Sequence, residues 1–138
     1  MADIDTILEK FDARCEEESP LTWIATVGDG EPHLAPVCFV KHLGDGKLLI
    51  ASVFLRRTLK NIEEGSRVAM GISFMENGRD GYLVKGRAVV KRSGSLFEEF
   101  REEIKTITKG KRIPRSVILV KVKEVYSLKP RTGRKKIQ

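Results

Sequence analysis

The sequence predicts an α+β fold in which six antiparallel strands close into a barrel and helices sit at its periphery. Short runs rich in β-branched and aromatic residues recur between turn signals, and the tripeptide Gly-Asp-Gly twice separates such runs. The alternation of strand and long helix that a parallel doubly wound sheet requires is missing. At 138 residues and 41% hydrophobic, the chain suits one domain spanning residues 1–138, and a barrel of this size often buries more surface by dimerising.

Each element follows from local pattern. Ile4, Ile7, Leu8, Phe11 and Cys15 lie at helical spacing, so residues 4–15 are expected to form an amphipathic helix. Proline disfavours helical geometry in the residue before it, so Ser19-Pro20 ends this N-terminal segment of residues 1–18. Residues 21–27, 31–41 and 47–53 are three strands of a meander. Their connections, Gly28-Asp29-Gly30 and Gly44-Asp45-Gly46, supply the positive φ angles of tight hairpins. A short helix is expected over residues 59–64, with Thr58 as its cap and Gly65 at the left-handed C′ position. Residues 67–74 and 80–91 are strands joined through Asn77-Gly78; in the second, Tyr82, Val84, Gly86, Ala88 and Val90 share one face. Ser95-x-x-Glu98 matches a capping box, and Phe97, Phe100, Ile104 and Ile107 form the stripe of the helix that follows. Gly110 can end that helix, and residues 115–126 complete the six strands. Trp23 is expected in the barrel core.

Charge is unevenly placed. The net charge is +7, yet residues 1–18 hold seven acids against Lys10 and Arg14, while the tail of residues 129–138 holds five cations and no acid. A nucleic-acid binder more typically carries a basic face on its folded body, and the tail has no aromatic residues to stack on bases, so nucleic acid is disfavoured as a partner. No run is long and apolar enough for a transmembrane helix, and the acidic, periodic N-terminus is neither a secretory signal nor a transit peptide. A cytoplasmic protein without a membrane partner is the expectation. Cys15 and Cys38 match no Cys-x-x-Cys or zinc spacing and are expected as ordinary reduced thiols. His33 and His42 lack metal-ligand company and are expected to be structural. No Ser-His-Asp or Cys-His constellation is legible.

The informative stretch runs from Ser52 to Asn61, where the chain leaves a strand and enters a short helix. Arg56, Arg57 and Lys60 crowd the end of that helix where free N–H groups and the positive dipole end lie, an unfavourable place for cations unless an anion joins them. Two readings stand on local physics: a phosphate gripped by these groups, or solvated arginines with Thr58 as a simple cap.

A resemblance weighs on that choice. Residues 23–27 (Trp-Ile-Ala-Thr-Val), the turn at 28–30 and Glu31-Pro-His33-Leu-Ala-Pro36-Val37 resemble the opening of the pyridoxamine 5′-phosphate oxidase-like FMN-binding split barrels. Residues 57–68, from Arg57-Thr58 through Lys60-Asn61 to Val68, are similar to that family's basic helix, and residues 81–88 to its fifth strand. The short stand-alone FMN-binding proteins of bacteria and archaea look most alike, over about residues 20–127. The resemblance implies a six-stranded split barrel that pairs as a homodimer with FMN between subunits. It assigns the phosphate to Arg57 and Thr58 with Lys60 and Arg56, and places His33, Pro36 and Val37 beside the flavin ring. Ser52 and Val53 fall near the ribityl chain or phosphate, and Asn61 supports the loop by local hydrogen bonds. The oxidase's C-terminal substrate-binding arginine and histidine have no recognisable counterpart in the tail, and the position of Thr58 is often lysine in the family. Some relatives hold a deazaflavin or haem instead. The implied function is flavin-dependent oxidoreduction or electron transfer with an unidentified redox partner or small-molecule substrate; a flavin carrier or sensor is the alternative.

Overall fold

A computed structural model describes residues 4–15, 21–74, 80–129 and 135–137. The Asn77-Gly78 turn, the acidic residues 16–18 and most of the basic tail lie outside the described residues. Among the described residues, nine antiparallel strands replace the expected six: β1 (Ala13–Arg14), β2 (Thr22–Gly28), β3 (Glu31–Val37), β4 (Phe39–Gly44), β5 (Lys47–Ser52), β6 (Val68–Phe74), β7 (Asp80–Lys91), β8 (Ser116–Ser127) and β9 (Lys135–Lys136). The helices are α1 (Ile4–Leu8), α2 (Arg56–Glu63) and α3 (Ser95–Ile107). The order in the sheet is β1-β4-β5-β8-β7-β6-β2-β3, with β9 on β8.

Topology makes this sheet a split barrel. β3 ends the sheet on one side and β4 lies next to its other end, yet only Cys38 separates them in sequence. The sheet must therefore curl until its two ends meet, and Cys38 bridges the seam. The expected meander is corrected by this arrangement. The predicted strand of residues 31–41 breaks at Cys38, and β2 takes β6, not a continuing meander, as its second neighbour. Proline supplies the reason: Pro32 and Pro36 have no N–H for a second ladder, so β3 is confined to an edge. Both hairpin turns form as predicted, with positive φ at Asp29 (54°) and Gly30 (74°) and again at Asp45 (51°) and Gly46 (69°).

Two apolar layers hold the barrel. Ile24, Val40, Leu48, Ile50, Met70, Val84, Ile118 and Val120 fill its interior, and Leu8 and Phe11 from the N-terminal segment join them. Alternate residues of β5 and β8 (Leu49, Ala51, Val117 and Leu119) point outward under Phe97, Phe100 and Ile104 of α3. Each fully buried side chain of this size contributes roughly 1.5–3 kcal/mol.

Several local expectations are revised. The apolar stripe at Ile7, Leu8 and Phe11 is buried, but the first helix stops at Leu8 and passes through a 3-10 turn into β1, because Asp12 accepts from the His42 N–H (2.9 Å) and β1 pairs with β4. The Arg14↔Phe39 pairing then sets Cys15 opposite Cys38, with Cα atoms 4.5 Å apart, and they form a disulfide in place of the expected thiols. α2 starts at Arg56, so Thr58 lies inside the helix and makes no cap. Gly94 takes the N-cap position of α3, and Ser95 makes no capping hydrogen bond. Trp23 is 40% exposed, because Thr22, Ile24 and Thr26 take the inward positions of β2.

Candidate functional site

The loop from β5 to α2 separates two adjoining concavities. One, of about 1050 Å³, is lined by Ser52, Val53, Phe54 and Leu55 of the loop, by Arg56, Leu59, Lys60, Glu63 and Glu64 of α2, and by Arg92, Ile113, Arg115 and Ser116. The other, of about 280 Å³, opens at the seam between Ala35, Pro36, Val37, Cys38 and Phe39 on one side and Ala51, Val53, Phe54 and Leu55 on the other, with Cys15 and Arg112 at its rim. Val53, Phe54 and Leu55 line both, so the two adjoin along this loop and together make a trough with a cationic end and an apolar end.

The sequence builds the cationic end in three pieces. α2 begins behind Leu55 with no side-chain cap and no acid in its first turn, so its first N–H groups and positive dipole end have no anionic partner of their own. Arg56 and Arg115 are exposed there, and neither makes an ion pair among the described residues. Arg92 is anchored by two hydrogen bonds to Glu63 (2.8 and 2.9 Å), which hold the Glu63 carboxyl below its ordinary value. Ser52, the last residue of β5, and Ser116, the first of β8, are register partners, tied further by the Arg115 N–H donating to the Ser52 carbonyl (3.2 Å). The buried Ser116 hydroxyl has no hydrogen-bond partner, a costly state unless something in the trough meets it. Phe54 stands 79% exposed between the two ends, with the Arg112 guanidinium 5.3 Å from its ring centroid. Among the described residues no cluster of His, Cys, Asp and Glu could hold a metal ion, and no helix is long and apolar enough to cross a membrane.

The sequence profile of pyridoxamine 5′-phosphate oxidase matches residues 7–129, nearly the whole chain. The chain belongs to the pyridoxamine 5′-phosphate oxidase family. It is 34% identical over 116 residues to an uncharacterised protein of Methanocaldococcus jannaschii, covering 81% of this chain and 75% of that one. Among solved structures, Group A Streptococcus HupZ superposes with a TM-score of 0.71 at 20% identity, over 84% of this chain and 89% of its own. An FMN-binding protein from Syntrophomonas wolfei superposes with a TM-score of 0.69 at 17% identity, over 78% and 76%.

Against the expectations from sequence, this member of the oxidase family gathers six of the ten singled-out residues at the trough. Ser52, Val53, Arg56 and Lys60 line its cationic end, and Pro36 and Val37 line its apolar end with Val53. The other four lie off the lining. Arg57 turns toward Asp29 in the β2–β3 turn (3.8 Å), and His33 pairs in register with Thr26. Thr58 is fully buried with an unpartnered hydroxyl. Asn61 is buried too, and its Nδ2 donates to Thr26 Oγ1 (3.0 Å), so the support it gives is between α2 and β2 and not local. Arg92, Arg115, Ser116 and the disulfide escaped sequence reasoning. They come from segments on both sides of α2 along the chain, and only barrel closure brings them to one place.

Proposed function

We propose that this chain binds FMN along the trough, at the interface of a homodimer, and works as a cytoplasmic flavin-dependent oxidoreductase or electron-transfer protein. One juxtaposition carries the reading: an uncapped helix start, the unpaired Arg56 and Arg115 and the unpartnered Ser116 hydroxyl lie at one end of a trough whose other end is apolar. A phosphate attached to a flat, largely apolar ring is complementary to both ends. Arg56, Lys60 and Arg115 would neutralise the phosphate, the Ser116 and Ser52 hydroxyls would donate to it, and the first-turn N–H groups of Arg56, Arg57 and Thr58 would complete its shell. Pro36, Val37 and Val53 would keep water from the ring, and the β3 backbone from His33 onward would run beside it. Asn61 holds α2 in position through Thr26. The bound flavin supplies the redox chemistry, and the protein supplies binding and orientation.

The dimer reading rests on the outward face of β2 and β3. Trp23, Val27 and Leu34 are 40%, 57% and 60% exposed, and Trp23 is the register partner of Pro36 at the trough. A second copy laid on this face would wall the open trough as well as cover the patch. The deciding experiment is the visible spectrum of the purified protein, followed by titration with FMN. A yellow protein, or a colourless one that takes up FMN, is expected. Arg56→Ala and Arg115→Ala should each weaken binding, by roughly tenfold where a charge-assisted contact is lost, whereas Arg57→Ala and Thr58→Ala keep the backbone N–H and should change it little. A colourless protein that takes up no FMN, or Arg56 and Arg115 variants that both keep wild-type affinity, would overturn the reading.

A further inference from the structure

Both half-cystines line the apolar end of the trough, at the seam where β1 and β3, the two ends of the sheet, pair with no further strand among the described residues. Cys38 is the single residue between β3 and β4, and Cys15 directly follows the two-residue strand β1, so their bond ties the N-terminal segment across the seam. Cys15 is exposed, and it holds a φ of 64°, a left-handed backbone that residues other than glycine rarely adopt. Its neighbour Arg14 is fixed independently, donating to the Val40 carbonyl (2.7 Å) and pairing with Glu103 (2.9 Å). Farther back, Leu8 and Phe11 are buried in the barrel. Opening the bond would therefore release Cys15 alone, pivoting on Arg14, and leave the fold intact. The Arg112 guanidinium lines the same hollow and favours a thiolate there. Exposure, an independently held neighbour and a place on a ligand-sized hollow mark a bond built to open, not one that holds the core together.

We propose that Cys15–Cys38 is a reversible redox latch that sets the shape of the apolar end of the trough. A dithiol reductant attacks one sulfur as its thiolate and forms a mixed disulfide. The other sulfur leaves as a thiolate and takes up a proton; the reductant's second thiol then displaces the attacked sulfur from the mixed disulfide, so the S–S bond of the protein becomes two thiols and the dithiol becomes a disulfide. Two electrons pass from the dithiol to the protein with two protons, and no other reactant is needed. Once free, Cys15 relaxes from its left-handed backbone and the trough loses that wall, so the reduced form holds a flat ligand less tightly. The effect on affinity rests on the FMN reading; the opening of the latch does not.

The test equilibrates the folded protein with graded ratios of reduced and oxidised dithiothreitol, then alkylates and weighs it. Hydrogen exchange at residues 13–15 and 38–40 and FMN affinity are read on the same samples. The bond is expected to open reversibly in the folded state, with faster exchange confined to those residues and FMN binding weakened roughly fivefold or more. Cys15→Ser should reproduce the reduced behaviour and ignore dithiothreitol. If that variant misfolds, reversible reduction of the wild type serves in its place. A bond that opens only on global unfolding, or that opens with exchange unchanged, overturns the latch. Local opening in a protein that takes up no FMN keeps the latch and defeats only the flavin reading, and local opening with unchanged FMN affinity overturns the coupling between them.

Discussion

Gly28 and Asn61 are a matched pair: a Cβ built on residue 28 would collide with the Asn61 side chain, whose amide donates to Thr26. The contact positions α2 against β2, and with it the helix start at the trough. Gly28→Ala must push that buried amide aside and is expected to cost about 1–3 kcal/mol in chemical denaturation. Asn61→Ala costs the hydrogen bond and leaves space, so the double variant should lose less than the sum of the two single losses. Strict additivity would show that the two residues do not share this space. The sequence suggested a turn glycine at 28 and a supporting asparagine at 61. Their mutual fit was not legible, because it joins residues that meet only after β2 and α2 pack.

At the scale of elements, the five-residue α1 is too short to be stable alone, and its place depends on what it is tied to. Asp5 Oδ1 accepts from His42 Nε2 (2.9 Å) and from the Gly46 N–H (2.9 Å), clamping α1 to the β4–β5 hairpin. The His42 hydrogen bond, then the Gly46 N–H, holds the Asp5 carboxyl below its ordinary value of 3.8. Because the folded value is the lower one, the stability this clamp contributes is present above pH 3.8 and is lost as pH falls through the depressed folded value. Asp5→Asn should therefore flatten the acid limb of a stability-against-pH curve while changing its alkaline limb little. An acid limb identical to wild type would show that the clamp is not coupled to protonation. His42, expected from sequence to be structural, has its role here, and the partner that gives it that role lies 37 residues earlier.

For the whole molecule, the contrast between the two outer faces of the barrel is decisive. α3 covers β5 and β8, whereas the face of β2 and β3 carries Trp23, Val27 and Leu34 in the open. Trp23→Glu and Leu34→Glu leave the barrel interior untouched and should turn the proposed dimer into a monomer in sedimentation analysis, with FMN retention falling alongside. Variants that stay dimeric, or a wild type that is monomeric at working concentrations, would place the dimer contact elsewhere or remove it.

What the sequence by itself determined was local or periodic. Asp-Gly turns demand positive φ and fix the hairpins at residues 29–30 and 45–46, and alternation along residues 80–91 and the stripe of Phe97, Phe100 and Ile104 identify faces. A run of cations beside a helix start raises two readings, a bound phosphate or solvated arginines, and the ordered set of such segments identifies the family. Tertiary structure alone decided which distant segments meet. Pro32 and Pro36 keep β3 at an edge, the curled sheet brings β3 and β4 together at a one-residue seam, and that seam joins Cys15 to Cys38 and opens a hollow beside the groove of Arg92, Arg115 and Ser116. No spacing rule encodes these meetings, because they follow from the closure of the whole sheet and not from the geometry of any single element.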